Sequence, residues 1–241
     1  MISSGDFAAP CIEPALVDQP PAGRYPSASR LPTAAKVRPA TGVAFRFRGA
    51  VGGVVVAAGL VAVFCSANPI PRHGTWGDVA LDATAWALFL AGTMLRFWAT
   101  LYVGGRKARS LVVTGPYSMM RHPLYVGTFL IAASAPVFTH SVTFGVLVAL
   151  GIAFYVRGTV VAEERQLRQL WGARFDDYRR AVPAFWPRLS RFTAGDSIEV
   201  NIRSLGLECR RAMWWVWLPV LYDIVSHVRL QPWWPTPFTL P

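Results

Sequence analysis

Charged residues are scarce in this sequence. Asp, Glu, Lys and Arg make up only 15% of its 241 residues, whereas soluble domains carry about 25%. Apolar residues reach 53%, which is too much apolar surface for a disordered chain. The low charge therefore excludes an intrinsically disordered protein, argues against an ordinary soluble domain and favours a membrane protein.

Cysteine is also scarce, with three residues that never stand in a Cys-x-x-Cys pattern: Cys11, Cys65 and Cys209. An odd and scattered set predicts neither a disulfide framework nor a zinc site, and we expect no metal at the functional site. Acidic residues number 13 against 24 Lys and Arg, which gives a net charge of +11. Because the basic residues form no continuous basic helix, we expect membrane lipids rather than nucleic acid as their partners.

The composition divides the chain into three regions. Residues 1–43 contain seven prolines and no apolar periodicity, which predicts a disordered tail. Residues 44–190 contain the long apolar runs and form the predicted membrane core. Residues 191–241 form a C-terminal extension, and its apolar stretch, residues 213–228, is shorter than the ~20 residues that a span needs. We favour an interfacial or re-entrant helix there over a fifth membrane span.

Two apolar stretches begin the predicted core. Gly49–Pro71 has 23 residues without a formal charge, enough at about 1.5 Å per residue to cross a hydrocarbon layer of about 30 Å. Val79–Val103 is a weaker candidate because it contains Asp82 and Arg96. Charges are costly in lipid, so we expect both side chains near an interface or against a protein cavity.

The longest uncharged run has 35 residues, from His122 to Val156. As one straight helix it would be about 52 Å long, which is too long for a single crossing. Pro136 and the polar residues 139–141 fall near its middle, where we expect the helix to end. The sequence therefore predicts a helical hairpin of Leu124–Phe138 and residues 142–170, within an all-α integral-membrane bundle of four or five transmembrane helices.

Basic residues flank the predicted spans unevenly. They precede the first span and follow the second and fourth. The loop between the first and second spans has only Arg72, and the hairpin tip between the third and fourth has no Lys or Arg. Short cytoplasmic flanks are enriched in Lys and Arg. Both ends of the core, and with them the base of the hairpin, are therefore expected on the cytoplasmic face of the cell membrane.

The hairpin brings two polar clusters to the same end. His122 precedes the first helix, and Glu164 lies on the returning helix 42 positions later. Pro123 fits the first position of a helix, so the amides that follow would form a small anion site. Arg157 lies seven residues before Glu164 and would share its face in a regular helix.

The side chains predicted at this end suit a zwitterionic ligand with an aromatic base. The helix start and Arg121 would hold a carboxylate, while Glu163 and Glu164 would hold an amine. Tyr117 and Tyr125 offer ring faces for a flat ring or a cation. S-adenosylmethionine has all of these parts, although nucleotides that carry amines fit the same residues.

Simpler interpretations stay open for each cluster taken alone. Arg121 and His122 could be a basic flank with a snorkelling arginine. Glu164 and Arg168 could be an exposed i, i+4 pair. The two tyrosines could be anchors at the membrane interface.

The residues around the hairpin resemble a known family. From Gly115 to Gly127 the chain reads Gly-Pro-Tyr-x-x-x-Arg-His-Pro-x-Tyr-x-Gly, and the Glu163-Glu164 pair follows after the hairpin. Further matches are Leu167, Phe175, Tyr178, Arg180 and Val182-Pro183. This pattern resembles the membrane methyltransferases that include isoprenylcysteine carboxyl methyltransferase and the phospholipid N-methyltransferases. It departs at Arg109, where the eukaryotic isoprenylcysteine enzymes carry a histidine.

The resemblance implies an all-helical membrane enzyme that uses S-adenosylmethionine as cofactor. The residues that it implies for the cofactor site are Tyr117, Arg121, His122, Pro123, Leu124, Tyr125, Glu163 and Glu164. The implied reaction is methyl transfer to the carboxylate, thiol or amine of a lipophilic acceptor. Arg157 matches a family arginine near the reaction centre and would hold an anionic acceptor. Glu163 or His122 would act as the base for a thiol or an amine.

Two other classes of function stay open from the sequence. The sterol reductases resemble this helical end and its Arg-His motif, but they need additional basic residues for the 2′-phosphate of NADPH. Only Arg106, Lys107 and Arg109 stand near enough along the chain to supply them. A non-catalytic membrane scaffold would bind neither cofactor.

The predicted orientation can be tested by cysteine labelling. We expect cysteines placed at Ser110 and Ser190 to react with a membrane-impermeant maleimide from the cytoplasmic side, and one at Ser141 to react from the opposite side. The native cysteines would first be replaced by serine, and labelling after solubilisation would serve as the control for accessibility. Labelling of position 141 from the cytoplasm would instead show a re-entrant hairpin, which arms of about 15 residues allow.

Overall fold

The computed structural model describes the helical part of the chain. All of the described residues belong to the unit formed by residues 39–241. They are residues 53–54, 57–59, 61, 66–67, 76–104, 110–194, 200–229, 231 and 238–239. The predicted tail, residues 1–43, and most of the first predicted span, Gly49–Pro71, lie outside the described residues. The predicted domain boundaries at residues 43 and 190 stay predictions.

Helices account for nearly all of the described structure, which confirms the predicted all-α class. In chain order they are α1 (Trp76–Val103), α2 (Pro116–Met119), α3 (Pro123–Phe138), α4 (Val142–Tyr155), a π-helical turn (Val156–Val160), α5 (Val161–Trp171), α6 (Ala173–Ala181), a 3-10 turn (Leu189–Arg191) and α7 (Ile202–Arg229). Two strands of two residues, β1 (Ser66–Ala67) and β2 (Phe238–Thr239), pair in parallel with Ser66 opposite Phe238.

The predicted hairpin is present as α3 and α4. Pro136 does not break α3 but lies in its last turn, and α3 ends at Phe138 as predicted. The chain then reverses over residues 139–141, where His140 has a positive φ of 49°. Ser141 caps α4 by accepting a hydrogen bond from the Phe144 amide at 3.2 Å. Because this cap is buried, Val142, which is 59% exposed, is a better labelling position than Ser141.

The helices carry outward-facing apolar surface that suits a membrane. Among the described residues, α1 and the continuous segment Val142–Trp171 are long and apolar enough to cross a bilayer, and α3 is a shorter apolar helix. On α4, exposed apolar residues recur every fourth position at Val142, Val146, Leu150 and Phe154, which forms one stripe along the helix. The described helices therefore suit a membrane environment, while the number of spans stays a prediction.

Helix α7 is longer than the sequence indicated. The apolar stretch 213–228 predicts 16 residues, but α7 has 28 and continues through Pro219. It packs on α1 and α3, and Trp215 contacts a buried cluster of Phe89, Ile131 and Phe138. The C-terminal extension is therefore joined to the core by apolar packing.

Two glycines allow α1 and α3 to approach each other closely. A Cβ on Gly92 would lie 2.6 Å from the Gly127 carbonyl oxygen, and a Cβ on Gly127 would lie 2.7 Å from the Gly92 carbonyl oxygen and 2.6 Å from Arg96 Cγ. Small residues at a helix interface permit this backbone contact in membranes. The close approach fixes the position of α3 and of the polar segment before it.

Replacing Gly127 by alanine should therefore destabilise the protein. Gly127→Ala places a methyl group against backbone atoms that cannot move aside, and we expect a loss of about 1–3 kcal/mol in the free energy of unfolding. The matched control is Gly206→Ala on α7, where a Cβ would meet nothing within 4 Å, so that better helix propensity should stabilise by up to about 1 kcal/mol. Thermal unfolding in detergent measures both. If Gly127→Ala unfolds at the same temperature as the wild type, the close contact between Gly92 and Gly127 is contradicted.

Candidate functional site

Glu164 on α5 is the centre of an ion-pair cluster at the base of the hairpin. Its Oε1 atom lies 3.0 Å from His122 Nε2 and 3.2 Å from Arg121 Nη2, and its Oε2 atom lies 3.6 Å from Arg179 Nε. The Glu164 side chain is 17% exposed. The structure therefore brings His122 and Glu164 together across 42 residues, and it places three potential cations around one carboxylate. We call Arg121, His122, Glu164 and Arg179 the ion-pair cluster.

Arg121 retains a free donor in this cluster. Its Nη1 donates to the Arg179 carbonyl oxygen at 3.2 Å, while its Nε is buried and has no hydrogen-bond partner among the described residues. Burial lowers the pKa of the Arg121 guanidinium, and the neighbouring Glu164 carboxylate acts in the opposite direction. An arginine in this position stays charged and could donate to a bound anion.

Glu163 has a different partner from its neighbour. It accepts a hydrogen bond from the Tyr125 hydroxyl, so the two adjacent carboxylates contact separate residues of α3 and the segment before it. The Tyr125 ring stacks on the His122 ring, with centroids 5.6 Å apart and planes at 26°. The Tyr125 ring also lies 6.5 Å from the Phe129 ring, centroid to centroid.

The segment before α3 is held by backbone hydrogen bonds to the chain that follows α6. Three amides of the segment donate to carbonyl oxygens of that chain: Arg121 to Pro183 at 2.9 Å, His122 to Ala184 at 3.1 Å and Gly115 to Thr193 at 2.9 Å. In the opposite direction, the Arg188 amide donates to the Met119 carbonyl oxygen at 3.1 Å. The Tyr178 hydroxyl donates to the Tyr117 carbonyl oxygen at 2.7 Å, and burial raises the pKa of Tyr178, which keeps it a donor. The polar segment is thus fixed from outside the hairpin.

Tyr117, Pro123 and Leu124 are structural neighbours of the cluster rather than members of it. Tyr117 is buried against Ala99 and Tyr102, and Leu124 packs on the same group. Burial raises the pKa of the Tyr117 hydroxyl. Pro123 occupies the first position of α3 as predicted, and it is fully buried.

The start of α3 offers fewer free amides than the sequence suggested. The Tyr125 amide donates to the His122 carbonyl oxygen at 3.1 Å, and the same oxygen accepts the first regular helical bond, from Val126, at 3.0 Å. Since Pro123 has no N–H group, an anion here would depend on the side chains of the ion-pair cluster more than on the helix terminus. The predicted helix-terminal anion site is therefore weaker than the pattern implied.

Arg157 lines an apolar cleft beside the cluster. The cleft has a volume of about 390 Å³, and its other lining residues are Phe129, Ile152, Ala153, Val156 and Phe185. Arg157 lies on the π-helical turn between α4 and α5, which the sequence did not predict. A π turn contains about one residue more than an α turn, so the face that Arg157 and Glu164 would share in a regular helix is not preserved.

Three aromatic residues and one arginine at this site were not predicted from the sequence. Phe129 lies four residues after Tyr125, so its position on the same helix face could have been predicted. Phe185 contacts Phe129 and His122, with ring centroids 6.1 and 5.6 Å apart, and Tyr155 lies 5.4 Å from Tyr125. Phe185, Tyr155 and Arg179 give no sequence signal, because their places depend on how α4 and α6 fold back on α3.

Among the residues that the structure describes, no group of three or more His, Cys, Asp and Glu side chains is arranged to hold a metal ion. The donors at the base of the hairpin are instead an arginine pair, two carboxylates and aromatic rings. Such a set can bind a ligand that carries both charges and a flat ring.

Comparison with known proteins identifies relatives over most of the chain. The sequence profile of the phospholipid methyltransferase family matches residues 47–174. The nickel-cobalt-cadmium resistance protein NccN of Alcaligenes xylosoxydans is 34% identical over 200 residues, which cover 81% of this chain and 91% of that protein. No solved structure matches the chain.

Two further relatives differ in the names they carry. The cobalt-zinc-cadmium resistance protein CzcN of Cupriavidus metallidurans is 30% identical over 168 residues, which cover 68% of this chain and 77% of that protein. The protein-S-isoprenylcysteine O-methyltransferase of Mus musculus is 29% identical over 142 residues, covering 55% of this chain and 47% of the mouse protein. The family and the mouse relative indicate membrane methyltransferase activity, in agreement with the resemblance read from the motif.

Proposed function

The chain belongs to the phospholipid methyltransferase family, and we propose that it transfers a methyl group from S-adenosylmethionine to a lipophilic acceptor within the membrane. The observation that carries this proposal is the contact between two unlike surfaces. The ion-pair cluster suits a charged, water-soluble cofactor, and the apolar cleft beside it suits an apolar acceptor. His122 and Phe185, whose ring centroids are 5.6 Å apart, lie at their junction.

The donor set fits the parts of S-adenosylmethionine. Arg121, with its free buried Nε, and Arg179 would hold the carboxylate. Glu163 would accept from the ammonium group, and the Tyr125 ring would lie against the flat base or the cationic centre. When bound, the cofactor would supply an electrophilic methyl group on a positively charged sulfur.

Glu164 would act by orienting its neighbours. Its carboxylate already contacts His122, Arg121 and Arg179, so its charge is compensated within the protein. In a partly buried site these contacts restrict the guanidinium groups to one arrangement, and preorganised charges bind a ligand better than mobile ones. Glu164 would therefore contribute to cofactor affinity largely through the two arginines.

The apolar cleft would take the acceptor chain. Its wall of Phe129, Ile152, Val156 and Phe185 would exclude water, and Arg157 would hold a carboxylate or thiolate of the acceptor. Orientation and desolvation would then supply most of the rate enhancement. An amine or an un-ionised thiol would need a base, and Glu163 and His122 are the nearest groups.

The site would open to the cytoplasm on one side and to the bilayer on the other. A charged zwitterion is costly to place in hydrocarbon, whereas an alkyl chain gains about 0.8 kcal/mol per buried CH₂. Separate entrances for cofactor and acceptor follow from this difference. Membrane lipids would be the permanent neighbours of the apolar helix faces.

The cofactor assignment predicts selective binding of S-adenosylhomocysteine, the demethylated product. We expect this ligand to raise the unfolding temperature of the detergent-solubilised protein, and NADPH to leave it unchanged. Glu164→Gln and Glu163→Gln should each weaken binding by about 1.5–3 kcal/mol, which is roughly ten- to a hundredfold in Kd.

The matched control for these variants is Asp177→Asn, which makes the same carboxylate-to-amide change in an exposed pair with Arg180. It should bind like the wild type, since exposed ion pairs contribute little. Stabilisation by NADPH alone would favour a reductase, and stabilisation by neither ligand would favour a scaffold. Wild-type affinity in both Glu variants would remove the pair from the site.

The acceptor assignment predicts a preference for long chains. Purified enzyme with labelled S-adenosylmethionine should methylate prenylated or acylated acceptors much faster than their truncated, water-soluble analogues. Ala153→Phe would fill the cleft and should reduce turnover of long-chain acceptors at least tenfold while leaving the Kd for S-adenosylhomocysteine unchanged. Equal turnover of long and truncated acceptors would contradict entry from the bilayer and leave the methyltransferase assignment intact.

A further inference from the structure

A buried ion pair joins the C-terminal helix to the core. Arg96 of α1 contacts Glu208 of α7 through two bonds, Nε to Oε1 at 2.6 Å and Nη2 to Oε2 at 3.0 Å. The two side chains are 11% and 3% exposed. Arg211 adds a second contact to Glu208 at 3.3 Å from the surface side.

The same arginine holds the first turns of α3. Arg96 Nη1 donates to the Leu124 carbonyl oxygen at 3.3 Å and to the Thr128 hydroxyl at 2.5 Å. Leu124 directly precedes Tyr125, which contacts Glu163. One guanidinium thus bridges α7 and the helix start that carries the candidate site.

The surroundings of Arg96 restrict it to this position. Its stem passes Gly127, where a Cβ would lie 2.6 Å from Arg96 Cγ, and its guanidinium lies 4.6 Å from the centre of the Trp215 ring. Arginine donors form a planar fork, so two donors on Glu208 leave Nη1 directed towards α3. Glu208 therefore sets the orientation in which Arg96 meets Leu124 and Thr128.

We propose that Glu208 is a positioning residue, which acts through Arg96 to fix the first turns of α3 and so the placement of His122 and Tyr125 in the candidate site. For its ligand readout this inference rests on the proposed function. Glu208 lies outside the family match, which ends at residue 174. The C-terminal helix would thus contribute to cofactor affinity without touching the cofactor.

A purely structural role and a positioning role predict different results for a paired replacement. Replacing a buried ion pair by apolar residues of similar volume is often neutral or stabilising, so Arg96→Met with Glu208→Met should keep α7 docked. The same double replacement removes the Arg96 donor to Leu124 and Thr128. The stability of the whole protein and the local protection of the first turns of α3 can then be measured separately on this double variant.

The experiment compares the wild type, the Arg96→Met/Glu208→Met double variant and Arg210→Gln, an exposed charge removal on the same helix. For the double variant we expect a wild-type unfolding temperature, at least tenfold faster hydrogen exchange at the amides of residues 125–128, and unchanged exchange in α4. The Kd for S-adenosylhomocysteine and the KM for S-adenosylmethionine should rise at least tenfold, with the KM for the acceptor unchanged. Arg210→Gln should match the wild type throughout.

Wild-type exchange and affinity in a folded double variant would overturn the proposal. If the double variant does not fold, Arg96→Lys decides, because a single ammonium nitrogen keeps the charge opposite Glu208 but cannot reach Glu208 and α3 at once as the separate nitrogens of the guanidinium fork do. The same loss of protection in α3 is then expected, and its absence would overturn the proposal. If the wild type does not bind S-adenosylhomocysteine, the proposed function fails, while the exchange comparison still tests the positioning role.

Discussion

Carboxylates that are buried or partly buried need cationic partners, and in this chain those partners come from helices far apart in sequence. Glu164 gathers Arg121, His122 and Arg179, which ties α5 to the segment before α3 and to α6. Glu208 binds Arg96 and ties α7 to α1. An uncompensated charge in a low-dielectric interior is costly, so helix positions that break either set are disfavoured. The candidate site lies where these two sets of contacts meet, at the start of α3.

The aromatic residues separate the polar part of the site from its apolar part. His122 stacks on Tyr125, and Phe129 and Phe185 continue the same group of rings into the cleft. One side of this group faces carboxylates and guanidinium groups, and the other side lines a space that lacks polar walls except for Arg157. Such a boundary allows a charged and an apolar molecule to meet without either entering the other's environment. The proposed transfer from a charged cofactor to an apolar acceptor requires such a boundary.

The sequence predicts the hairpin well and its surroundings poorly. The ends of α3 and the start of α4 follow from Pro123, the polar residues 139–141 and the missing charges, all of which act locally. The contact between His122 and Glu164 follows from topology, since a hairpin must return. The sequence could not show that Arg179 pairs with Glu164 or that Glu208 pairs with Arg96. A charge in a polar stretch does not indicate which distant charge it will contact. The free amides expected at the start of α3 were also overestimated, because the Tyr125 amide is used in a local turn.

The π-helical turn explains how one continuous helical segment can serve both parts of the site. In a regular α-helix, Glu163 would follow Val156 by seven residues and share its face, so the carboxylate would lie along the apolar cleft. The turn at Val156–Val160 adds about one residue, which rotates the following segment by roughly 100° relative to α4. Val156 and Arg157 then line the cleft, while Glu163 reaches Tyr125. Glu164 takes the angular position that Glu163 would have in a regular helix, so the turn decides which member of the glutamate pair meets Tyr125 and which meets the ion-pair cluster.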